Sequence, residues 1–340
     1  MKTDVISDVP SRVICLGEIL FDYLADQLGE SLSQIQSWTT YPGGAPANVA
    51  CALSKLGTNT AFIGSIAQDV LGDALCQLLK DQQINLQGLQ RTDQFPTRQV
   101  YVLRSDSGDR SFAAFSDKSP EAFADALLSS KLLPEKLFLE AEYLVIGTLS
   151  LAYPDSRQAV FRALELAEKY HLKVILDINH RPFFWKDETQ AKPLIQKLWG
   201  YVDFLKLAKE EALWLFDTSE AALISNRLDS LEGVLVTDGE NEVNYCISSQ
   251  IGRIKPFPVT VKDTTGAGDA FLAGFIHQLC RRKLSELNDP QVAKAIVYYA
   301  CAVGSFTTQS EGAIRYQPTK EELFTFLKTH SNGSYPSQII

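Results

Sequence analysis

Short runs of contiguous apolar and β-branched residues alternate, almost from end to end, with segments whose apolar residues recur every three or four positions. Runs of the first kind predict strands over 13–16, 60–63, 143–146, 173–177, 202–205 and 233–237. The second kind predicts a helix over 47–56, stopped by Gly57, whose missing Cβ suits a left-handed C-terminal position, and another over 70–80, capped by Asp69. This alternation predicts an α/β fold, a mostly parallel central sheet covered by helices on both faces. One stretch breaks the rhythm: 97–104 and 111–115 are strand-like runs joined by the turn-rich SDSGDR, which predicts a hairpin. With the region 21–41 it predicts a small sheet outside the main one, an appendage that commonly serves as a lid. No low-complexity linker divides the chain.

At 340 residues the chain has room for two average domains, or for one large α/β domain with an accessory piece. Its 45% hydrophobic and 21% charged residues exclude collagen-like, coiled-coil and disordered classes. Lys and Arg number 32 against 41 Asp and Glu, a net charge of −9 with no basic stripe. Nucleic acid is therefore not an expected partner, and an anionic substrate requires a local cluster of donors. Cys15, Cys51, Cys76, Cys246, Cys280 and Cys301 show neither C-x-x-C spacing nor partnering histidines, which points to free thiols rather than a zinc or redox centre. The N-terminal MKTDVISDVPSR carries Asp4, Asp8 and Pro10 where a signal peptide needs apolar residues, and no run of 18 apolar residues follows. A cytoplasmic protein with no membrane partner is expected, in which the N-x-S triplet at Asn332 acquires no glycan.

The densest chemistry lies in DTTGAGDAF, residues 263–271, followed by Leu272, Phe275, Ile276 and Leu279 at helical spacing. Gly266, Ala267 and Gly268 are small where the backbone turns tightly and an anion can approach. The first N–H groups of a helix have no intrahelical partners, so with the helix dipole they can hold a phosphate. Walker A is excluded because the chain has no Gly-Lys pair, and a dinucleotide fingerprint because Phe271 follows where a third glycine belongs. Asp269 stands beside this anion hole. Taken alone it is either a capping carboxylate or the base that takes a proton from a hydroxyl attacking a γ-phosphate. At the ordinary Asp value of about 3.9 it is ionised, but a weak base, at neutral pH.

As it stands, DTTGAGDAF resembles the C-terminal signature of the PfkB, or ribokinase-like, family of carbohydrate and nucleoside kinases. YPGGAPANVA, residues 41–50, resembles the N-terminal signature, and its form GGAPANVA is most similar to fructokinases. The resemblance runs over residues 12–328, through Gly312-Ala313-Ile314 and Pro318-Thr319, and implies a single ribokinase-like kinase domain whose lid is built from 21–41 and 97–115. It implies an ATP-dependent sugar kinase transferring the γ-phosphate to a primary hydroxyl, with fructose giving fructose 6-phosphate as the first expectation. Asp269 would be the base, and Gly266, Ala267 and Gly268 the anion hole. Asp22, in GEILFD, and Gly43, Gly44 and Asn48 would hold the sugar. By themselves the two glycines read as a loop before a helix, and Asp22 as a solvated strand-end carboxylate. DINHRPFFW, residues 177–185, resembles the fructokinase segment that brings Asn179 and Arg181 to the phosphates, and VTDG, residues 236–239, matches a position where Thr237 and Gly239 meet the nucleotide, with Gly268.

The same resemblance implies Mg²⁺, its waters organised by Glu211, and a monovalent cation, K⁺, held by main-chain carbonyls around Asp263, Thr265, Ser310 and Gly312. Two departures stand out. Ala208 occupies the position, three residues before Glu211, where the family has Asn or Ser, and Cys301 replaces an Asn often found near the adenine. A homodimer through the lid is a further implied partnership, beside the sugar and ATP. Other acceptors stay open: ribose, 2-keto-3-deoxygluconate, or a nucleoside stacked on Phe112 or Phe115. So does a non-catalytic module that binds sugar and nucleotide without transfer.

Overall fold

The computed structural model describes residues 10–105, 110–115, 118–228 and 230–330, with 110–112 as backbone alone. Positions 106–109 of the expected turn, the side chain of Phe112, most of the N-terminal segment and Asn332 lie outside the described residues. Among the described residues thirteen strands form two sheets: β1 (Val13–Leu16), β2 (Leu20–Leu28), β3 (Trp38–Gly43), β4 (Thr60–Ala67), β5 (Asn85–Thr92), β6 (Gln99–Arg104), β7 (Arg110–Ala114), β8 (Tyr143–Gly147), β9 (Lys173–Asp177), β10 (Phe204–Ala208), β11 (Gly233–Thr237), β12 (Val243–Ile247) and β13 (Gln250–Ile254).

The larger sheet has the order β13-β12-β11-β10-β9-β8-β1-β4-β5. Pairing is parallel from β5 through β11, and antiparallel only where β12 and β13 close one edge. β1 is central because all four of its residues are apolar and buried, as a strand covered on both faces requires. Val13 and Cys15 face the helices Ala45–Lys55, Ala267–Cys280 and Pro290–Thr307, whereas Ile14 and Leu16 face Pro154–Tyr170 and its neighbours. The smaller sheet, in the order β3-β2-β6-β7, is a separate layer over its own apolar cluster of Leu20, Leu24, Val100, Phe115, Phe123 and Phe184. Inside that cluster Arg98, 1% exposed, pairs with Asp125 at 2.7 Å and lies against the rings of Phe115, Phe123, Tyr153 and Phe184.

The strands expected over 13–16, 173–177 and 233–237 have those bounds. The one expected over 202–205 begins instead at Phe204 and runs to Ala208, because Lys206, which breaks the apolar run, is buried against Asp177 on the neighbouring strand. The helix expected from residue 47 starts at Ala45, with Pro46 in its first turn, where a missing N–H costs nothing. Gly57 takes the left-handed conformation at φ +87°, and Asp69 caps its helix by accepting the Gly72 N–H at 2.6 Å. All six cysteines are free, and no described helix is long and apolar enough to cross a membrane.

Candidate active site

Parallel strands deliver their C-terminal residues to one edge of the sheet, where the N-terminus of the helix Ala267–Cys280 meets them. Asp269 lies in the first turn of that helix and is 8% exposed. Asn48, in the first turn of the helix Ala45–Lys55 and 4% exposed, donates from Nδ2 to Asp269 Oδ2 at 2.7 Å. Two motifs 221 residues apart thus share one buried hydrogen bond. Burial, and then the charge of Asp177, push the Asp269 carboxyl up to about 6, against the pull of Lys206, Asn48 and Arg181. The sequence alone suggested an ordinary carboxylate; its burial makes it a stronger base that is still ionised at pH 7.

Lys206 supplies a buried counter-charge that sequence reasoning missed. Its Nζ donates to both oxygens of Asp177 at 2.9 Å, and a Cβ added to Gly268 would lie 3.1 Å from it. Burial opposes the ammonium, but Asp177, Glu211 and Asp269 together hold its pKa above the ordinary value. Its signal in the sequence was a lone lysine inside the apolar run FLKLA, which a parallel strand tolerates only with a buried partner.

The anion loop is held by packing that only glycine permits. Gly266 has φ +75°, and a Cβ there would fall 2.6 Å from Ala313 Cβ and 2.9 Å from its Cα. Asp263 ties this loop to the next: Oδ1 accepts the Thr265 N–H at 2.9 Å and Oδ2 the Gly312 N–H at 2.8 Å. Of the residues implied for a monovalent cation, Asp263, Thr265 and Gly312 are therefore joined directly, with Ser310 two positions away. Gly312 packs under the Tyr41 ring, whose hydroxyl donates to Glu311 at 3.0 Å, so the small sheet touches this loop too.

At the other end of the site, Gly43 pairs with Leu20 and Tyr41 with Asp22 across β2 and β3. A Cβ on Gly43 would lie 2.6 Å from Asp22 Oδ2, so the half-buried carboxylate stands over bare backbone.

The segment after β9 is held less directly. Asn179 has φ +36°, and Glu211 accepts the N–H groups of His180 and Ala208, each at 2.7 Å. Burial, followed by Asp177, raises the Glu211 pKa. Ala208 thus contributes its backbone where a side-chain amide or hydroxyl was expected. Arg181 is exposed and donates to the His180 carbonyl at 3.0 Å, near enough to Asp269 to act on its charge. Thr237 closes β11, its Oγ1 donating to the Leu207 carbonyl at 3.3 Å, and Gly239 follows at φ +55° with open space around it. Cys301 is 2% exposed within the core, where burial pushes its thiol up to about 12. Phe115 stacks on Phe183 at 4.7 Å and is 5% exposed, so its ring is used in packing.

A buried base beside a helix N-terminus, with a lysine ammonium close to Gly268 of the same turn, is equipped to deprotonate a hydroxyl next to a bound phosphate. Among known proteins, the model of the family described as "pfkB family carbohydrate kinase" matches residues 10–320. Fructokinase-2 of Oryza sativa subsp. japonica is 32% identical over 91% of this chain and 92% of its own length. The probable chloroplastic fructokinase-6 of Arabidopsis thaliana is also 32% identical, over 91% of this chain and 80% of its own. A fructokinase from Xylella fastidiosa with bound ATP matches with a TM-score of 0.85 at 26% identity, covering 94% of this chain and 99% of that one. A double-mutant fructokinase from Vibrio cholerae O395, in a form with fructose, ADP and potassium ion bound, matches with a TM-score of 0.81 at 27% identity, covering 94% and 99%. With the family model matching most of its length, and relatives of this extent, the chain belongs to the pfkB family of carbohydrate kinases.

Proposed function

We propose that this chain is an ATP-dependent fructokinase that converts fructose to fructose 6-phosphate. The observation that carries the reading is the 2.7 Å bond from Asn48 to Asp269, which joins the expected sugar motif to the expected base at the head of the anion-binding helix. The fructokinases among its relatives support the choice of acceptor.

Asp22, Gly43, Gly44 and Asn48 position the sugar with its primary hydroxyl towards Asp269. The ionised Asp269 takes the hydroxyl proton as the sugar oxygen attacks the γ-phosphorus in line; the bond to the β–γ bridging oxygen breaks and ADP leaves. Backbone N–H groups of Gly266, Ala267 and Gly268 cradle the transferring phosphoryl group, with positive charge from Lys206 below and Arg181 at the rim. Asn179, Thr237 and Gly239 line the nucleotide side. Magnesium, when bound, supplies charge neutralisation on the nucleotide phosphates. Such an ion would be carried by the nucleotide phosphates and its waters. Glu211 has both oxygens on backbone donors and can still accept from such waters. The backbone around Asp263, Thr265 and Gly312, joined through the Asp263 carboxylate, and Ser310 two positions away, is where main-chain carbonyls would hold potassium.

Residues 12–328 act as one kinase domain, and the small sheet built from 21–41 and 97–115 is its lid, with a homodimer forming through that sheet. The test is coupled-assay ADP release with ATP and Mg²⁺ across fructose, ribose, glucose, 2-keto-3-deoxygluconate and adenosine, with and without potassium. Turnover strongest with fructose supports the reading. Preference for another acceptor reassigns the substrate, and ATP and sugar binding without ADP release replaces the kinase by a binding module.

A further inference from the structure

Glu18 is a carboxylic acid that no step of the proposed reaction uses, yet it is 5% exposed and lies between the two sheets. It follows Gly17 in the short link from β1 to β2, so its backbone is fixed by the central strand of one sheet and the second strand of the other. Its Oε1 accepts the N–H of Ala45, the first residue of the helix that carries Asn48, at 3.0 Å. Its main-chain carbonyl oxygen lies 2.5 Å from where a Cβ on Gly44 would fall. Gly44 itself is at φ +106°, outside the region that residues with side chains adopt readily. One residue therefore meets the sugar-side loop twice, with its carbonyl against Gly44 and its carboxyl on Ala45.

We propose that Glu18 is a positioning residue for sugar binding: it holds Gly44 and Ala45 so that Gly43, Gly44 and Asn48 meet the acceptor. The helix start needs an acceptor for the Ala45 N–H, which a neutral carboxyl supplies. The surroundings penalise a charge. Asp125, from the turn 124–127, and Asp269, from the helix Ala267–Cys280, both act on Glu18 as like charges, while Arg98 and Tyr153 face it from the cluster under the small sheet. Arg98 is already engaged by both oxygens of Asp125, at 2.7 and 2.8 Å. In keeping with that geometry, burial pushes the Glu18 carboxyl up to about 8. Ionisation above that pH places a negative charge against the sugar loop, repelled by Asp125 and Asp269, and sugar affinity falls.

The inference rests on the fructokinase reading, and the two fail differently. Wild-type protein without fructose-dependent ADP release overturns the reading, whereas normal wild-type turnover with unaltered Glu18 variants overturns the inference alone. At pH 7, Glu18→Ala should raise the fructose KM about tenfold with kcat and the ATP KM within about threefold of wild type, because the removed bond acts on sugar binding. Glu18→Gln keeps the acceptor for Ala45 without a titrating group and should restore the fructose KM to within about threefold. If the alanine variant does not fold, the glutamine variant decides alone. The wild-type fructose KM should rise above pH 8 and that of Glu18→Gln should stay flat to pH 9.5. The same alkaline rise in both proteins, or an ATP KM that climbs in parallel with the fructose KM in Glu18→Ala, overturns the proposal.

Discussion

Replacing Asn48 by leucine keeps the number and branching of side-chain heavy atoms but removes the donor to Asp269, and it should move the acid limb of the pH–rate profile upwards. Both partners are buried and 2.7 Å apart, so water does not replace the lost bond. A hydrogen bond to a charged group contributes about 1.5–3 kcal/mol and one to a neutral group about 0.5–1.5 kcal/mol, so the ionised carboxylate loses about 1–1.5 kcal/mol more than the acid does. At about 1.36 kcal/mol per pH unit, that is roughly one pH unit. Asp269 has its carboxyl pushed up to about 6, and it is the ionised form that accepts the proton. Activity is therefore present above that pH and lost as pH falls through it, with the midpoint of kcat/KM moving from about 6 to about 7 in the variant. From this cause the loss is about twofold at pH 7 and about ninefold at pH 5. Steady-state kcat/KM for fructose between pH 4.5 and 9 measures it. Loss of a sugar contact lowers the whole curve by a constant factor and leaves the midpoint in place, so an unmoved midpoint would refute the claim that Asn48 tunes the base.

Asp269→Ala should lower kcat by about 10²–10⁴, the range for a general base, while calorimetry still detects sugar binding; near-normal turnover would remove Asp269 from the mechanism. Gly266→Ala should lower kcat by about 10²-fold, since a side chain at φ +75° would sit 2.9 Å from the Ala313 Cα and move the N–H groups off the phosphoryl position; unchanged single-turnover rates would count against the anion hole. Lys206→Met leaves Asp177 buried without its cation and should cost about 3–5 kcal/mol in urea unfolding, whereas a loss below about 1 kcal/mol would mean that the pair contributes little.

Much of the architecture was legible because parallel strands covered on both faces leave an unmistakable local mark. The all-apolar Val13–Leu16 segment and the apolar, β-branched run in Gly233–Thr237 need no knowledge of their neighbours. β5, reading NLQGLQRT, left no such mark, because it is an edge strand with one partner and half-exposed residues. β10 was misplaced by two residues for a related reason: the partner that makes Lys206 tolerable in a strand, Asp177, is 29 residues away in sequence and adjacent only in the sheet. Aromatic residues were equally opaque, since nothing local distinguishes a ring available for stacking from Phe115, packed on Phe183.

Within the site, the sequence determined which groups are present and where the backbone must turn. Gly266 and Gly44 stand where φ is positive, and the Asp269 carboxylate follows the anion loop because the order of residues puts it there. Tertiary structure decided what those groups can do. The strength of Asp269 as a base, its bond to Asn48 and the ammonium near Gly268 all depend on burial and on charges from other strands and helices. The neutral acid at Glu18 is the same case, its carboxyl displaced by desolvation and by Asp125 and Asp269 from distant parts of the chain. Identity and backbone conformation are local properties, whereas a pKa is set by solvent exclusion and electrostatics through space, which exist only once the chain has folded.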